Sequence, residues 1–307
     1  MTNLIAEHDS LRPLMFSIAY RMLGSVAEAE DVVQEAFLRM HKTDLEGTVV
    51  QRPEAFATTV TTRLAIDALR AARVRREEYV GPWLPEPVVG SVDTDPSHRI
   101  ELDETVTTAF LVLLEQLAPV ERAVFVLREV FDYGYPEIAA IIGKSEANCR
   151  QILVRSRQRI DADRPRFEPS PERRDELTRG FLAALAEGDV AAVERLLADD
   201  IVFVGDGGGK APAIRTPMTG RTQVARFLVG LVRVGDRVGG RLELTEANGG
   251  PAARIVDRDG RLLGVLSIDI ADGRVQALRN LINPDKLHHL GEVGDMNALL
   301  QDRPSAG

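Results

Sequence analysis

Residues Tyr135 to Arg159 read YPEIAAIIGKSEANCRQILVRSRQR, and this stretch decides the fold of the N-terminal half of the chain. Apolar residues at three- and four-residue steps predict two helices, with a turn at Gly143-Lys144 and the second helix beginning at Ser145. The pattern is typical of a helix-turn-helix, whose second helix can enter the major groove of DNA. An αα-hairpin of an ordinary helical bundle is the alternative that spacing alone leaves open.

The second predicted helix carries polar side chains that suit DNA. Asn, Gln and Arg are side chains that read base edges bidentately. Cys149, the only cysteine of the chain, falls on the apolar side, so we expect a small core residue rather than a nucleophile or a metal ligand. The candidate DNA-contacting residues are Lys144, Ser145, Asn148, Arg150, Gln151 and Arg155.

The distribution of charge indicates a protein that contacts DNA through local basic patches. The net charge of −9 argues against a protein that coats DNA indiscriminately, since such binding rests mainly on neutralised phosphates. Local basic patches on an acidic background suit an oriented DNA contact and leave the acidic remainder free to meet a partner protein. One patch is the predicted helix-turn-helix. The other consists of Arg63, Arg70, Arg73, Arg75 and Arg76.

At 307 residues the chain is long enough for two or three domains, each with its own core. No apolar run approaches the roughly 20 residues of a membrane span, and the start MTNLIAEHDS lacks a basic region followed by an apolar stretch. We therefore expect a cytoplasmic protein that contacts no membrane. No motif predicts a catalytic residue, a metal site or a cofactor.

Periodicity and composition divide the chain. Helical patterns over about 4–72 and 101–163 flank the stretch 78–97, whose prolines and glycines indicate an extended linker. A second proline-rich break follows at 164–171. The expected segments are a first helical domain at 1–77, a linker at 78–99, a second helical domain at 100–164, a linker at 165–172, a third domain at 173–290 and a tail at 291–307.

The third domain has a mixed pattern. A helix pair over 175–197 precedes apolar or alternating runs that suit strands. Asp259-Gly260 and Asp272-Gly273 predict tight hairpin turns. Helices followed by a hairpin-rich sheet indicate an α+β domain with its own core. The strand-like runs lie at 201–204, 241–247 and 252–282.

Three segments in this order resemble those of a known family. They are DVVQEAFLR at 31–39, FATTVTTRLAIDALRAARVRRE at 56–77 and EIAAIIGKSEANCRQILVRSR at 137–157. The chain looks like a group IV, extracytoplasmic-function sigma factor. The resemblance implies that the first segment binds the β′ clamp of core RNA polymerase and the second opens and reads the minus-10 promoter element. The third would read the minus-35 element, with the β flap as a further polymerase contact.

The resemblance also implies roles for individual residues. The five clustered arginines would contact minus-10 DNA. The six candidate DNA-contacting residues of the helix-turn-helix, from Lys144 to Arg155, would contact minus-35 DNA. The polymerase-binding residues would be Asp31, Gln34, Glu35, Phe37 and Arg39.

The motifs WLPEP at 83–87, DGGGK at 206–210 and NPDKL at 283–287 narrow the resemblance. Together they resemble the sigma-factor subfamily with a fused SnoaL-like C-terminal domain. The implied fold is multidomain: two all-α sigma domains, a region 2 helical bundle and a region 4 helix-turn-helix, followed by a cone-shaped α+β domain. In that subfamily the extension is thought to regulate the sigma factor, so no separate anti-sigma factor would be required. The implied regulatory residues are Trp83, Leu84, Pro85, Asp206, Gly207, Gly208, Gly209, Lys210, Asn283, Pro284, Asp285, Lys286 and Leu287.

The residues of these motifs can also be interpreted without the family. A phosphate-binding loop needs glycine at the position of Val204 and Ser or Thr at that of Ala211, so nucleotide binding is not indicated. The glycines of DGGGK instead suit a close approach of another backbone segment. Trp83 lies among prolines, and its large ring needs a pocket, so we expect the linker to dock on a domain surface. A plain spacer is the alternative.

Two other classes of protein are alternatives: a protein whose third domain is an enzyme or a ligand sensor, and a dimeric repressor. SnoaL-like folds also host isomerases and cyclases, so the third domain could be an enzyme or a small-ligand sensor. Asp206, Asp269 and His288 are candidate acids or bases, but their spacing predicts no convergence. Asp269 is expected to face water from a strand. A dimeric repressor is disfavoured because it leaves the other basic helix and the docking helix unexplained.

Overall fold

The structure is a computed structural model that describes residues 8–48, 50–89, 106–162 and 170–301. It divides into two compact units. The N-terminal unit comprises Met1–Glu78 with Ser91–Arg164, and the C-terminal unit comprises Tyr79–Gly90 with Pro165–Gly307. The described stretch Tyr79–Val89, here called the linker segment, therefore groups with the C-terminal unit, although it lies between the two helical regions in sequence.

Three helices form the first part of the N-terminal unit: α1 His8–Leu23, α2 Val26–Leu45 and α3 Pro53–Glu77. Gly24, at φ +68°, ends α1, and the hydroxyl of Ser25 accepts a hydrogen bond from the first turn of α2. The helical pattern of the first domain is therefore interrupted at Gly24-Ser25. The three helices share a core that includes Met15, Ile18, Met22, Val33, Met40 and Leu69.

In the second part, the described residues 106–162 form four helices: α4 Thr108–Leu114, α5 Pro119–Glu129, α6 Tyr135–Ile142 and α7 Glu146–Ala162. Gly143 adopts φ +66° between α6 and α7, which gives the predicted turn of the helix-turn-helix. The expected core position of the lone cysteine is confirmed, and burial raises the pKa of its thiol. The buried residues of this helix pair are Ile138, Ile141, Cys149, Ile152, Leu153 and Ile160.

The C-terminal unit contains α8 Pro171–Glu187, α9 Val190–Leu196, α10 Arg221–Arg237 and α11 Met296–Gln301. The first two are the expected helix pair. Helix α10 was not predicted from the sequence, because its glycines and valines weaken intrinsic helix propensity. Burial of one face of α10 against β1 and α9 stabilises it instead. Within the described residues, no helix is both long enough and apolar enough to cross a membrane.

Six strands form one mixed sheet in the order β2-β1-β6-β5-β4-β3. Strands β1 and β6 pair in parallel, and the other neighbours pair antiparallel. Helices α8, α9 and α10 contribute to the apolar core on one face of the sheet. The strands are β1 Leu197–Asp206, β2 Met218–Thr219, β3 Arg241–Ala247, β4 Gly250–Val256, β5 Leu262–Ala271 and β6 Arg274–Leu281.

Tight turns join β3 through β6. Asp272-Gly273 has positive φ at both residues, 51° and 69°, as its hairpin signal predicts. Asn248-Gly249 forms an equivalent turn, at 53° and 64°, which the sequence analysis overlooked. The expectation that Asp269 faces water is wrong: its side chain is 18% exposed and pairs with Arg279 on the neighbouring strand β6.

Candidate functional site

The outer face of α2 exposes two large apolar side chains. Leu38 is 65% exposed and Leu45 is 74% exposed. Because residues three, four and seven positions apart share a helix face, both lie beside the polar residues proposed to bind polymerase. Apolar groups bordered by charges are typical of a protein-binding surface. Of the proposed residues, Asp31, Gln34 and Arg39 are exposed, and Glu35 and Phe37 are half-buried.

The polar residues of α7 point away from the core of the N-terminal unit. The Ser145 hydroxyl lies 3.3 Å from Asn148 N and caps the helix. Arg150 lies 4.8 Å from the ring centroid of Tyr135 and pairs with Glu146 at 2.8 Å. These contacts orient the first turns of a helix suited to a DNA groove. Lys144, Ser145, Arg150, Gln151 and Arg155 are exposed, and Asn148 is half-buried.

Two of the arginines proposed for the minus-10 element connect α3 to the helices of the second part of the unit. Arg63 donates to carbonyl oxygens in the last turn of α6, 2.8 Å to Ile141 and 3.1 Å to Ala140. Arg73 donates to the carbonyl oxygen of Leu117, just after α4. Carbonyl groups at helix C-termini favour a cation. These two guanidinium groups therefore stabilise packing within the unit in this conformation.

The other three arginines pair with carboxylates. Arg70 forms an exposed ion pair with Asp67, 2.9 Å from Nη1 to Oδ1, one helical turn away. Arg75 pairs with Glu28, and Arg76 pairs with a carboxylate next to α4. All five arginines thus have a protein partner in this conformation.

Glu115 links α3 to α5. Its carboxylate accepts a hydrogen bond from Arg76 and lies 2.5 Å from Nη1 of the fully buried Arg122. Burial raises the pKa of Glu115, but the charges and hydrogen bonds of the two arginines outweigh burial and hold that pKa below its usual value. Arg122 also donates to the carbonyl oxygen of Arg21 in α1, 2.9 Å away. The carboxylate therefore stays ionised and joins both halves of the unit.

In the C-terminal unit, Asp206 at the end of β1 is buried and binds the linker segment. Its Oδ1 accepts a hydrogen bond from the Tyr79 hydroxyl at 2.5 Å, and its Oδ2 accepts one from Leu84 N at 2.8 Å. Lys286 Nζ donates to Asp206 Oδ2 and to Leu84 O, at 2.7 Å each. Asn283 Nδ2 donates to the Tyr79 hydroxyl at 2.8 Å. We call these five residues the linker cluster.

The NPDKL motif forms a short turn that positions the lysine of the cluster. Asn283 Oδ1 accepts a hydrogen bond from Asp285 N at 3.1 Å and starts the 3-10 helix Pro284–Lys286. Asp285 points outward and pairs with Lys210 at 2.5 Å, both about half exposed. Leu287 is fully buried. The turn therefore directs Lys286 inward and Asp285 outward.

The glycines of DGGGK allow the close approach that the sequence predicts. A Cβ on Gly207 would lie 2.3 Å from Ala211 O. Gly208 has φ +57°, and a Cβ there would lie 2.2 Å from Asn283 Nδ2. A Cβ on Gly209 would lie 3.2 Å from a side chain of the linker segment. Larger residues at the first two positions would displace the turn or the linker segment.

The aromatic rings of the linker segment lie against Lys286. Its Nζ is 4.1 Å from the ring centroid of Trp83 and 4.8 Å from that of Tyr79. Leu84 and Pro85 are buried. Burial and the hydrogen bond to Asp206 raise the pKa of the Tyr79 phenol, which keeps it a donor. The expected docking of the linker on a domain surface is therefore observed.

A second set of contacts, which the sequence analysis missed, binds the end of the linker segment. The Asn248 side-chain oxygen accepts from Val88 N at 3.0 Å, and its backbone N–H donates to Val88 O at 2.8 Å. His289 Nε2 lies 2.8 Å from Pro87 O. The Asn-Gly pair at 248–249 was a usable signal for this turn. Tyr79 and His289 offered no comparable signal, because they bind through tertiary contacts.

The three residues considered as an acid or base do not converge. Asp206 belongs to the linker cluster, Asp269 pairs with Arg279, and His288 is exposed. None of the three lines the apolar cavity between the sheet, α8 and α10. Within the residues that the structure describes, no group of His, Cys, Asp and Glu forms a metal site.

Comparison with known proteins agrees with this geometry. The model for Sigma-70 region 2 matches residues 8–75, and the model for Sigma-70 region 4 matches residues 107–160. The chain is 40% identical to the ECF RNA polymerase sigma factor SigJ of Mycobacterium tuberculosis over 291 residues, covering 92% of each chain. It is 31% identical to the probable ECF sigma factor SigI of the same species, covering 94% of this chain and 99% of that relative.

A solved structure extends the similarity to the whole architecture. The crystal structure of the M. tuberculosis sigma factor SigJ superposes with a TM-score of 0.75 at 36% identity, covering 93% of this chain and 98% of that one. The match includes the α+β domain as well as the two helical regions. The predicted multidomain fold, with two helical sigma regions before an α+β domain, is confirmed.

Proposed function

Because the chain belongs to the extracytoplasmic-function sigma factors, the promoter-specificity subunits of RNA polymerase, we propose that its C-terminal unit regulates it in cis through the linker segment. This family is not a family of enzymes, and its members bind core polymerase and promoter DNA. With this control built into the chain, no separate anti-sigma factor would be needed.

The observation that carries the proposal is the buried bond between Asp206 and Lys286, which together bind both polar atoms of the Leu84 backbone. A linker that only spaced two domains would leave its backbone to water. Here its backbone and aromatic side chains are bound by the C-terminal unit. We infer that binding and release of the linker segment is the regulated step.

Release would change the distance that the two sigma regions can span. The linker segment contributes eleven of the thirty residues between the end of α3 at Glu77 and the start of α4 at Thr108. Free and extended, eleven residues span at most about 36–40 Å, since each residue contributes about 3.3–3.6 Å. Regions 2 and 4 must contact two separate promoter elements at once. We therefore propose that binding of the linker segment limits promoter engagement and that its release raises transcription.

The contacts of the α3 arginines support a second step. Arg63 and Arg73 are hydrogen-bonded to carbonyl groups of the second helical region, so they are not available to phosphates in this conformation. We propose that core polymerase separates the two regions and frees these arginines for minus-10 DNA. The β′ clamp would take the α2 face with Leu38 and Asp31, the β flap would contact region 4, and α7 would read the minus-35 element.

We propose that the C-terminal unit is a regulatory domain and catalyses no reaction. The support is that its buried Asp206 is fully used in binding the linker segment, where hydrogen bonds from Tyr79 and Lys286 occupy both carboxylate oxygens. Regulation in cis would act in the cytoplasm, where polymerase and promoter DNA are present.

The test is promoter-dependent transcription with purified core polymerase, comparing the full chain with Asp206→Asn. Asp257→Asn is the matched control, because Asp257 is equally buried in the same unit but binds the β4–β5 turn through Arg261 instead of the linker segment. Circular dichroism checks that both variants fold. Proteolysis between residues 79 and 89 checks that only Asp206→Asn releases the linker segment.

We expect Asp206→Asn to raise transcription severalfold and Asp257→Asn to leave it near that of the full chain. A chain ending at Pro169 should resemble Asp206→Asn. If proteolysis shows a released linker segment while transcription and polymerase affinity stay unchanged, regulation through the linker cluster is wrong.

A further inference from the structure

The C-terminal unit encloses an apolar cavity of about 310 Å³ between the sheet, α8 and α10. Sites for small molecules are commonly of this size, mostly apolar, with few polar groups. Its lining is dominated by aliphatic and aromatic side chains from all three elements, among them Leu185, Phe203, Phe227, Leu228, Ile255 and Leu266.

The wall of the cavity contains a buried polar atom that makes no hydrogen bond within the described part of the chain. Asn280 on β6 is 9% exposed and lines the cavity, and its Oδ1 makes no hydrogen bond to any group that the structure describes. Alternation along the strand puts Asn280 on the same face as the core residue Leu278. A buried acceptor without a donor is unfavourable and rare in folded proteins. A ligand with a hydroxyl or N–H group would satisfy it.

The cavity suits binding rather than acid–base chemistry. Asp236 carries the only carboxylate among the described residues that line it, and this side chain is exposed. A general base needs a carboxylate within hydrogen-bond reach of the reacting group, inside the site. Asn280 carries the only side-chain amide among the described residues that line the cavity, and most of the other lining side chains are apolar.

The cavity and the linker cluster share backbone. Gly205 and Ile282 line the cavity, and each directly precedes a cluster residue. The backbone N–H groups of Ile282 and Asn283 both donate to Asp206 O, at 2.8 and 3.0 Å. A molecule in contact with this wall therefore acts on the peptide groups that position Asp206.

The short helix α11 gives a second connection. Its Met296 and Leu300 line the cavity, and Asn297 Nδ2 donates to Lys210 O at 2.6 Å. Lys210 closes the DGGGK motif that contacts the linker segment. Contacts between a ligand and α11 would therefore also stabilise the DGGGK turn.

We propose that this cavity binds a small, largely apolar molecule that donates one hydrogen bond to Asn280, and that occupancy strengthens the binding of the linker segment. The binding site stands on the cavity and Asn280 alone. The effect on the linker segment rests on the proposed function. A ligand shifts that equilibrium only as far as it binds the linker-bound form more tightly than the released form.

The first experiment is calorimetric titration of the full chain with three saturated alcohols: cyclohexanol, 1-adamantanol and 1-decanol. The methyl ether of each alcohol is the matched ligand, because it keeps the apolar body and loses the donor. Asn280→Leu removes the acceptor and keeps the number and branching of the side-chain heavy atoms. Gln276→Leu, on the same strand but outside the cavity, is the control substitution.

At least one alcohol should bind the full chain and Gln276→Leu about tenfold more tightly than its ether, and Asn280→Leu should abolish this preference. Leu231→Trp, which fills the exposed rim, should weaken both ligands. Equal binding of every alcohol and its ether, or no binding by any of the three, overturns the proposed site. Thermal unfolding confirms that the variants are folded when they are titrated.

The second experiment follows Trp83, the only tryptophan of the chain, whose fluorescence reports the linker segment. The alcohol that binds should slow proteolysis within residues 79–89 severalfold and shift the Trp83 emission in the full chain, but not in Asn280→Leu. If the alcohol binds but changes neither proteolysis nor the Trp83 emission, the binding site stands and the proposed effect of occupancy on the linker segment is wrong. Failure of the site leaves the Asp206→Asn transcription result unaffected, so the two proposals fail separately.

Discussion

Lys286 Nζ lies 2.7 Å from Asp206 Oδ2, and both side chains are buried in the C-terminal unit. Eighty positions separate them in sequence, and β6 and the turn after it bring the lysine to the end of β1. Each also binds the backbone of Leu84. The pair therefore couples the stability of the domain to the position of a segment that connects two sigma regions.

Removal of one partner of this pair should be costly. We expect Lys286→Met to lower the free energy of unfolding of the C-terminal unit by about 3–5 kcal/mol, since it leaves a buried charge unpaired. The exposed pair Lys210–Asp285 is the control, and Asp285→Asn should cost about 0–1 kcal/mol. Denaturant unfolding followed by Trp83 fluorescence measures both. Equal losses would contradict the role given to the buried pair.

Gly208→Ala should release the linker segment. A methyl group at this position meets Asn283 and Tyr79, and φ is +57°. Gly273→Ala is the control, because it has φ +69° but nothing within 4 Å of the added carbon. Each variant should lose about 1 kcal/mol from backbone strain. Only Gly208→Ala should speed proteolysis within residues 79–89, and similar rates for both variants would contradict the steric argument.

The N-terminal unit should lose stability in acid through Glu115. The pKa of this carboxyl is lowered in the folded chain, so its contribution is fully present above the usual value near 4.5. As the pH falls through the lower folded value, protonation removes that contribution. Between pH 5 and pH 3, the free energy of unfolding should therefore fall more steeply with decreasing pH for the full chain than for Glu115→Gln. A profile that the substitution leaves unchanged would assign the acid sensitivity to other groups.

Substitution of Arg63 and of Arg70 should affect the stability of the free chain differently but should reduce promoter binding by the polymerase complex in the same way. Arg63 binds the end of α6, whereas Arg70 forms an exposed ion pair within α3. Arg63→Ala should destabilise the free N-terminal unit, and Arg70→Ala should not. In the complex, each should lower the salt dependence of promoter binding by about one phosphate contact. Filter binding over a salt series gives the slope, and strong promoter binding by the free chain would exclude the proposed opening step.

Substitutions on α2 should impair binding to core polymerase, whereas substitutions on α7 should impair recognition of the promoter. Leu38→Ala removes an exposed apolar group from α2, so it should weaken binding to core polymerase without lowering the stability of the unit. Gln151→Ala on α7 should leave core affinity unchanged and cost about 1–3 kcal/mol in binding to the matching minus-35 sequence. Fluorescence anisotropy with labelled core polymerase measures the affinity for core polymerase, and the same method with labelled promoter DNA measures the affinity for the minus-35 sequence. A loss of core affinity in Gln151→Ala would contradict this division.

The amino-acid sequence by itself determined the local structure of this protein. Helical periodicity and Gly143 gave the helix-turn-helix, and Asp272-Gly273 gave a hairpin turn, because these signals act between residues close in the chain. The motifs WLPEP, DGGGK and NPDKL identified the segments that meet at the linker cluster, although their mutual contacts were inferred from family resemblance. Helix α10 was missed because burial, rather than propensity, stabilises it.

Only the tertiary structure decided which partner each polar group has. Arg63 binds carbonyl groups of α6, Asp269 pairs with Arg279 instead of facing water, and Oδ1 of Asn280 meets no hydrogen-bond donor among the described residues. Side-chain type and spacing do not encode these outcomes, because a charge on a helix or strand face can meet solvent, DNA or another part of the chain. The choice depends on desolvation and on distances across residues far apart in sequence, and these exist only once the chain has folded.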